Sequence, residues 1–93
     1  MDKIRNYNLE APSKQKTLEV FTGYFNEEYA ESLWNEACEA TATNPEAESL
    51  TELEQIFTYF CSIKGKVGVQ GMSMKMRLMT YRNLLALQTN QSN

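Results

Sequence analysis

Apolar side chains recur every three or four residues along most of the 93-residue chain, and this spacing is the period of an α-helix. The clearest instance is the segment 49–64. It opens with Ser49 and Glu52 at the spacing of a capping box, in which the two side chains satisfy free backbone N–H groups at a helix start. Only Lys66–Val69 has the composition of a short strand. The pattern therefore predicts an all-α fold.

Four helices are expected, at about 13–25, 26–42, 49–64 and 73–88. Asn26, Ser49 and Ser73 are suitable N-caps for the last three, because their side-chain oxygens accept hydrogen bonds from free N–H groups. The segments outside the helices are predicted to be an extended N-terminal arm over 1–11, a glycine-rich connector over 65–72 and a frayed tail over 89–93. A chain of this length can bury enough apolar surface for one hydrophobic core but not for two. We therefore predict one all-helical domain over 1–93, folded as a small bundle of four helices.

Charge changes sign along the chain. Between Thr17 and Glu54 there are ten acidic residues and no basic one, whereas after Glu54 there are five basic residues and no acidic one. The five basic residues are the predicted binding residues for an acidic partner or a phosphate: Lys64, Lys66, Lys75, Arg77 and Arg82. The net charge of −3 argues against a general nucleic-acid binder, which is normally basic overall.

The connector is a candidate anion site, because glycines let backbone N–H groups converge beside a helix N-terminus. Its spacing, Gly65-x-x-Gly68-x-x-Gly71, lacks the four-residue gap and terminal lysine of a P-loop, and it does not follow a strand. The alternative interpretation is a turn in which one or two glycines adopt a positive φ.

The last helix carries apolar residues on two sides. One stripe contains Met74, Leu78, Tyr81 and Leu85, and a second group lies on the opposite side, so the helix is either central to the bundle or apolar toward a partner. This second group predicts an apolar docking surface for a partner: Met76, Met79 and Leu87. Copper(I) ligation is disfavoured, because methionines at alternate helical positions point away from each other. We therefore interpret the methionines as an adaptable contact surface.

The residue types disfavour catalysis. There is no histidine, which removes His-based triads, His-ligated metals and the commonest general base. Cys38 and Cys61 lie on apolar helical faces and are expected to be buried thiols without an activating partner. We predict a protein that is not an enzyme, with no cofactor and no metal. Without a signal peptide or an apolar stretch of about 20 residues, a cytoplasmic location and no membrane partner are expected.

The leading hypothesis is a small regulatory or protein-interaction module. Its acidic second helix and its basic, methionine-rich fourth helix contact a protein partner, or each other across a homodimer. One alternative is a nucleic-acid-associated regulator that uses the basic segment 64–82. Another is an acidic mimic of nucleic acid that inhibits a DNA-binding protein.

Overall fold

The structure, a computed structural model, describes residues 3–4, 9–46 and 49–91. Four helices follow two very short strands: β1 Lys3–Ile4, β2 Leu9–Glu10, α1 Lys14–Tyr24, α2 Glu27–Thr41, α3 Leu50–Cys61 and α4 Lys66–Gln91. The two strands pair antiparallel, with Lys3 opposite Glu10 and Ile4 opposite Leu9. The predicted all-α fold of four helices is confirmed. The rest of the predicted arm and the last two residues of the predicted tail lie outside the described residues.

The first three helices begin at polar caps that the sequence provides. Ser13 Oγ accepts from the Lys16 N–H at 3.2 Å, and Asn26 Oδ1 accepts from the Tyr29 N–H at 2.7 Å. Ser49 Oγ accepts from the Glu52 N–H at 3.2 Å and donates to the Glu52 carboxylate at 2.7 Å. The Ser49–Glu52 pair therefore begins α3 as predicted, although the carboxylate binds the serine hydroxyl where the capping box has a backbone N–H.

One apolar core joins the four helices, and its largest fully buried side chains are aromatic. Phe21 of α1 meets Phe60 of α3 edge to face, with ring centroids 5.0 Å apart. Trp34 of α2 is 1% exposed, and its indole Nε1–H donates to the Pro45 carbonyl at 2.8 Å. This bond satisfies the polar atom of a buried ring and ties the chain after α2 to the core. From α4 the core takes Val67, Met74 and Leu78.

The glycine-rich segment is helical, so the predicted connector over 65–72 is wrong beyond Gly65. The turn between α3 and α4 is only Ser62–Gly65, and Gly65 alone among the glycines has a positive φ, 86°. Helix α4 begins at Lys66, seven residues before the predicted cap at Ser73, and the Val69 N–H already donates to the Gly65 carbonyl at 3.2 Å. A strand at Lys66–Val69 is excluded by the same helix.

Close packing of α4 on α3 explains the two helical glycines. A Cβ on Gly68 would overlap the carbonyl oxygen of Ile63, and one on Gly71 would lie 2.6 Å from Phe60 Cβ. Each glycine costs a helix about 1 kcal/mol relative to alanine, which is why the sequence suggested a loop. Because these two positions lack side chains, α4 can pack directly against backbone atoms, and this packing outweighs the cost of glycine in the helix.

Candidate interaction surface

Helix α4 is the longest element, with 26 residues, and one side of it is buried. Val67, Met74, Leu78 and Tyr81 face the core, and each is less than 9% exposed. Helix α4 packs mainly against α3, with a smaller contact to α1. This buried side fixes how α4 is rotated and therefore which residues it presents outward.

The opposite side of α4 is an exposed row of mainly apolar residues, which we call the α4 seam: Val69, Met72, Met76, Met79, Asn83 and Ala86. Val69 is 65% exposed, Met76 63% and Met79 47%. Successive members are separated by three, four, three, four and three residues, which keeps them on one side of a helix. The seam is thus a continuous exposed strip along the helix.

The seam contains part of the predicted docking surface and extends it. Met76 and Met79 belong to it, and Leu87, 56% exposed, lies beside its end. Val69 and Met72 were missed, because their segment was interpreted as a connector. The regular three- and four-residue spacing from Val69 onward is the signal that identifies them.

The predicted basic residues do not form one face. At about 100° per residue, Lys66 and Arg77 lie within about 20° of each other on one flank of the seam. By the same geometry Lys75 and Arg82 lie on the other flank, while Lys64 is in the turn before α4. Lys64, Lys66 and Arg77 are exposed and Lys75 is half-buried. Positive charge therefore borders the seam on both sides.

Arg82 is engaged within the fold. Its guanidinium Nη1 lies 2.8 Å from the Glu54 carboxylate, and Nη2 donates to the Leu50 carbonyl at 3.4 Å. These contacts tie α4 to the first two turns of α3. Of the five predicted binding residues, Arg82 is consequently the least available to a partner.

The loop that the predicted phosphate site required does not exist, because α4 begins at Lys66. A partly open pocket of about 240 Å³ lies between α1, α3 and α4, and Lys16, Thr17 and Arg77 are among its lining residues. Its volume is below the roughly 300–1,000 Å³ typical of ligand pockets. Among the described residues, no group of three His, Cys, Asp or Glu side chains is placed to hold a metal ion.

Comparison of the chain with protein-family models, curated proteins and solved structures gives no significant match. Function is therefore argued from surface chemistry. Within the described ranges, no helix is both long and apolar enough to cross a membrane.

A second charged surface lies on α2. Five glutamates are exposed on this helix: Glu27, Glu28, Glu31, Glu36 and Glu39. None of them forms an ion pair with another residue of the part of the chain that the structure describes. Glu36 accepts a hydrogen bond from the Tyr59 hydroxyl at 2.7 Å, and this bond raises the pKa of Tyr59. Helix α2 packs against α1 and α3, so α3 lies between the acidic helix and α4.

The two cysteines differ in environment. Cys38 is 2% exposed, its Sγ lies 3.8 Å from the Asn44 carbonyl oxygen, and burial raises the pKa of its thiol. Because the thiolate is the reactive form, a raised pKa makes Cys38 a poor nucleophile at neutral pH. Both thiols are free as predicted, but Cys61 is only partly buried where a buried thiol was expected.

Proposed function

We propose that this chain is a small non-enzymatic protein-interaction module that binds its partner through the α4 seam. One observation carries the proposal: large apolar side chains that are about half exposed or more follow one another on one side of α4 from Val69 to Met79. Monomeric proteins rarely expose a contiguous apolar strip unless it meets another molecule. The acidic face of α2 is proposed as a second contact surface.

The chemistry of the seam suits a helical partner. Methionine is unbranched and polarisable, so a surface built from Met72, Met76 and Met79 adapts to the shape of what it meets. A helix that presents residues at three- and four-residue spacing fits a groove or another amphipathic helix. Lys66 and Arg77 along one flank would increase the association rate of an acidic partner and favour one orientation.

Affinity capture from the source cells tests the proposal with matched variants. Met72→Gln with Met76→Gln removes apolar surface from the seam, and Tyr24→Gln removes it from α1, where Tyr24 is 50% exposed. We expect proteins retained by the wild type and by Tyr24→Gln to be lost with the seam variant. The same set of proteins on all three would contradict the proposal.

Reversing charge tests the basic flanks separately. Lys66→Glu combined with Lys75→Glu changes one exposed and one half-buried cation while leaving the seam intact. For a partner with acidic flanks, we expect weaker capture and a smaller dependence on salt. Unchanged capture by a folded double variant would limit the contact to the apolar seam.

Nucleic-acid binding is the second candidate, favoured by the five cations and no acid after Glu54. The seam separates these cations into two flanks, an arrangement that suits a groove poorly. Fluorescence anisotropy with a labelled duplex and a labelled single strand distinguishes the two candidates. A steep fall in affinity with salt would support the nucleic-acid candidate, and no binding at low salt would remove it.

The acidic face of α2 also keeps nucleic-acid mimicry as a candidate, because its five glutamates are exposed and make no ion pair within the described ranges. Mimicry predicts capture of a DNA-binding protein. It would be favoured if the Glu28→Lys and Glu31→Lys double variant lost this protein while the Met72→Gln and Met76→Gln variant still captured it.

A further inference from the structure

We propose that the α4 seam binds the α4 seam of a second copy of this chain, so that two parallel helices form a short two-stranded coiled coil. The inference rests on the proposed function, since it uses the same surface and names the occupant. It is carried by the spacing of the seam, the charges beside it and the position of one asparagine.

The seam has the heptad spacing of a coiled coil. Val69, Met76 and Asn83 occupy successive a positions, and Met72, Met79 and Ala86 occupy the d positions. The buried residues Met74, Leu78 and Tyr81 then fall at positions c and f, on the opposite side of the helix. A second helix can therefore pack on the seam without disturbing the contact of α4 with the core.

The flanking residues favour the parallel orientation. Lys75 and Arg82 occupy g positions, whereas Ser73, Thr80 and Leu87 occupy e positions. In a parallel pair a g residue faces the next e residue of the other helix, so Lys75 would face Thr80 and Arg82 would face Leu87. The aliphatic stem of Arg82 can cover Leu87, which is 56% exposed, while its guanidinium stays paired with Glu54. In an antiparallel pair the g residues face each other, so Lys75 would lie opposite Arg82, a like-charge contact that Glu54 partly compensates.

Asn83 is the polar residue of the seam. A single asparagine at an a position is a known device for fixing the register and the two-stranded state of a parallel coiled coil, at a cost in stability. In the parallel pair the two Asn83 side chains meet and can hydrogen-bond to each other. The exposed position of Asn83 on α4 leaves it available for this contact.

The size of the seam sets the expected affinity. From Val69 to Ala86 it is about 26 Å long at about 1.5 Å per residue. Two strips of this length, each about 10 Å wide, together cover roughly 500 Å², which is less than the roughly 1,200 Å² of a stable specific interface. We therefore expect a weak dimer, with a dissociation constant on the order of 10–100 µM.

Sedimentation equilibrium of the full chain tests the pairing. We expect wild type to dimerise reversibly, and Met76→Glu to weaken the dimer at least about tenfold, because two carboxylates would meet at one a position. The control Tyr24→Glu places the same charge on an exposed site of α1 and should leave the dimer unchanged. Asn83→Leu removes the polar a position and should strengthen the dimer about tenfold or more. Circular dichroism checks that each variant remains helical.

A cross-link tests the orientation. In the parallel register Val69→Cys places two thiols at facing a positions and leaves Asn83 in place, so we expect rapid formation of a disulfide-linked dimer in a buffer of reduced and oxidised glutathione, in which the oxidised form is the oxidant. The wild type, with Cys38 and Cys61 free, is the control for the native thiols. Cross-linking no faster than in the wild type would overturn the parallel arrangement.

Two results would overturn the pairing itself: a strict monomer up to about 500 µM at low and high salt, or a dimer indifferent to both Met76→Glu and Asn83→Leu. The same experiments distinguish failure of the pairing from failure of the proposed function. If the chain is a monomer but the Met72→Gln and Met76→Gln variant still loses captured proteins, the seam binds another partner and only the second-copy inference is wrong.

Discussion

At the residue scale, glycine serves two structural purposes in this chain, one at Gly65 and another at Gly68 and Gly71. Glycine between two helical patterns usually marks a turn, and Gly65 with its φ of 86° is such a glycine. Gly68 and Gly71 instead lie in α4 where it approaches the backbone of α3. The sequence shows that a position is glycine. Only the packing shows whether glycine is needed there for a positive φ or because a side chain would clash with a neighbouring element.

Alanine substitution distinguishes these purposes. We expect Gly71→Ala to lower the free energy of unfolding by about 1–3 kcal/mol, because its methyl group would press on the backbone of Phe60 and Cys61. Gly23→Ala is the control. Nothing lies within 4 Å of the added methyl group in α1, and alanine favours helix, so we expect a gain of up to about 1 kcal/mol. Urea denaturation measures both, and a stable Gly71→Ala variant would contradict the close approach.

Cys38 predicts a loss of stability at alkaline pH. Burial raises the pKa of its thiol in the folded state, so the stabilising contribution is complete below the pKa of the unfolded thiol and is lost as pH rises above it. The Tyr59–Glu36 hydrogen bond acts in the same direction at higher pH. We expect urea denaturation between about pH 8 and about pH 10 to show a smaller fall for Cys38→Ala than for wild type. An equal fall would contradict the assignment to Cys38.

At the scale of elements, α4 is a helix with two apolar sides, one buried and one exposed. The side containing Leu78 completes the core, and the side containing Met76 faces solvent. Arg82 anchors α4 to the first two turns of α3 through Glu54 and Leu50. Helix α4 therefore holds its seam in a fixed orientation, which lowers the entropic cost of binding.

Truncating each side of α4 to alanine should have opposite consequences. Leu78 is fully buried, so we expect Leu78→Ala to lower the free energy of unfolding by about 2–5 kcal/mol. Met76 is 63% exposed, so at dilute concentration we expect Met76→Ala to change it by less than about 0.5 kcal/mol. Thermal and urea denaturation measure both. A large loss for Met76→Ala would mean that the seam belongs to the core of the monomer.

The sequence predicted most of the elements and only part of the surface. Caps at Asn26 and Ser49 placed the starts of α2 and α3, because capping is a local interaction between neighbouring residues. The start of α4 was wrong by seven residues, because it depends on how closely α3 approaches, a contact between elements. That error also hid Val69 and Met72, and the Arg82–Glu54 pair required the packing of two helices to be known.

At the scale of the whole molecule, the acidic surface of α2 and the apolar α4 seam lie on different helices. Helix α3 lies between acidic α2 and basic α4. Pairing through the α4 seam would therefore leave the acidic face of α2 exposed on each of the two copies. A dimer of this kind would present two copies of the α2 glutamates to other partners. Binding to such a partner would then be bivalent, and its apparent affinity would rise with dimerisation.

Methyl NMR of methionine tests the central claim, that the α4 seam contacts the α4 seam of a second copy, with an internal control. Met72, Met76 and Met79 lie in the seam, whereas Met74 is 8% exposed on the opposite side of the same helix. Between about 20 µM and about 1 mM, we predict that the three seam methyl signals shift with concentration while the Met74 signal does not. Signals that are all constant, or that shift equally for Met74 and the seam, would contradict the account.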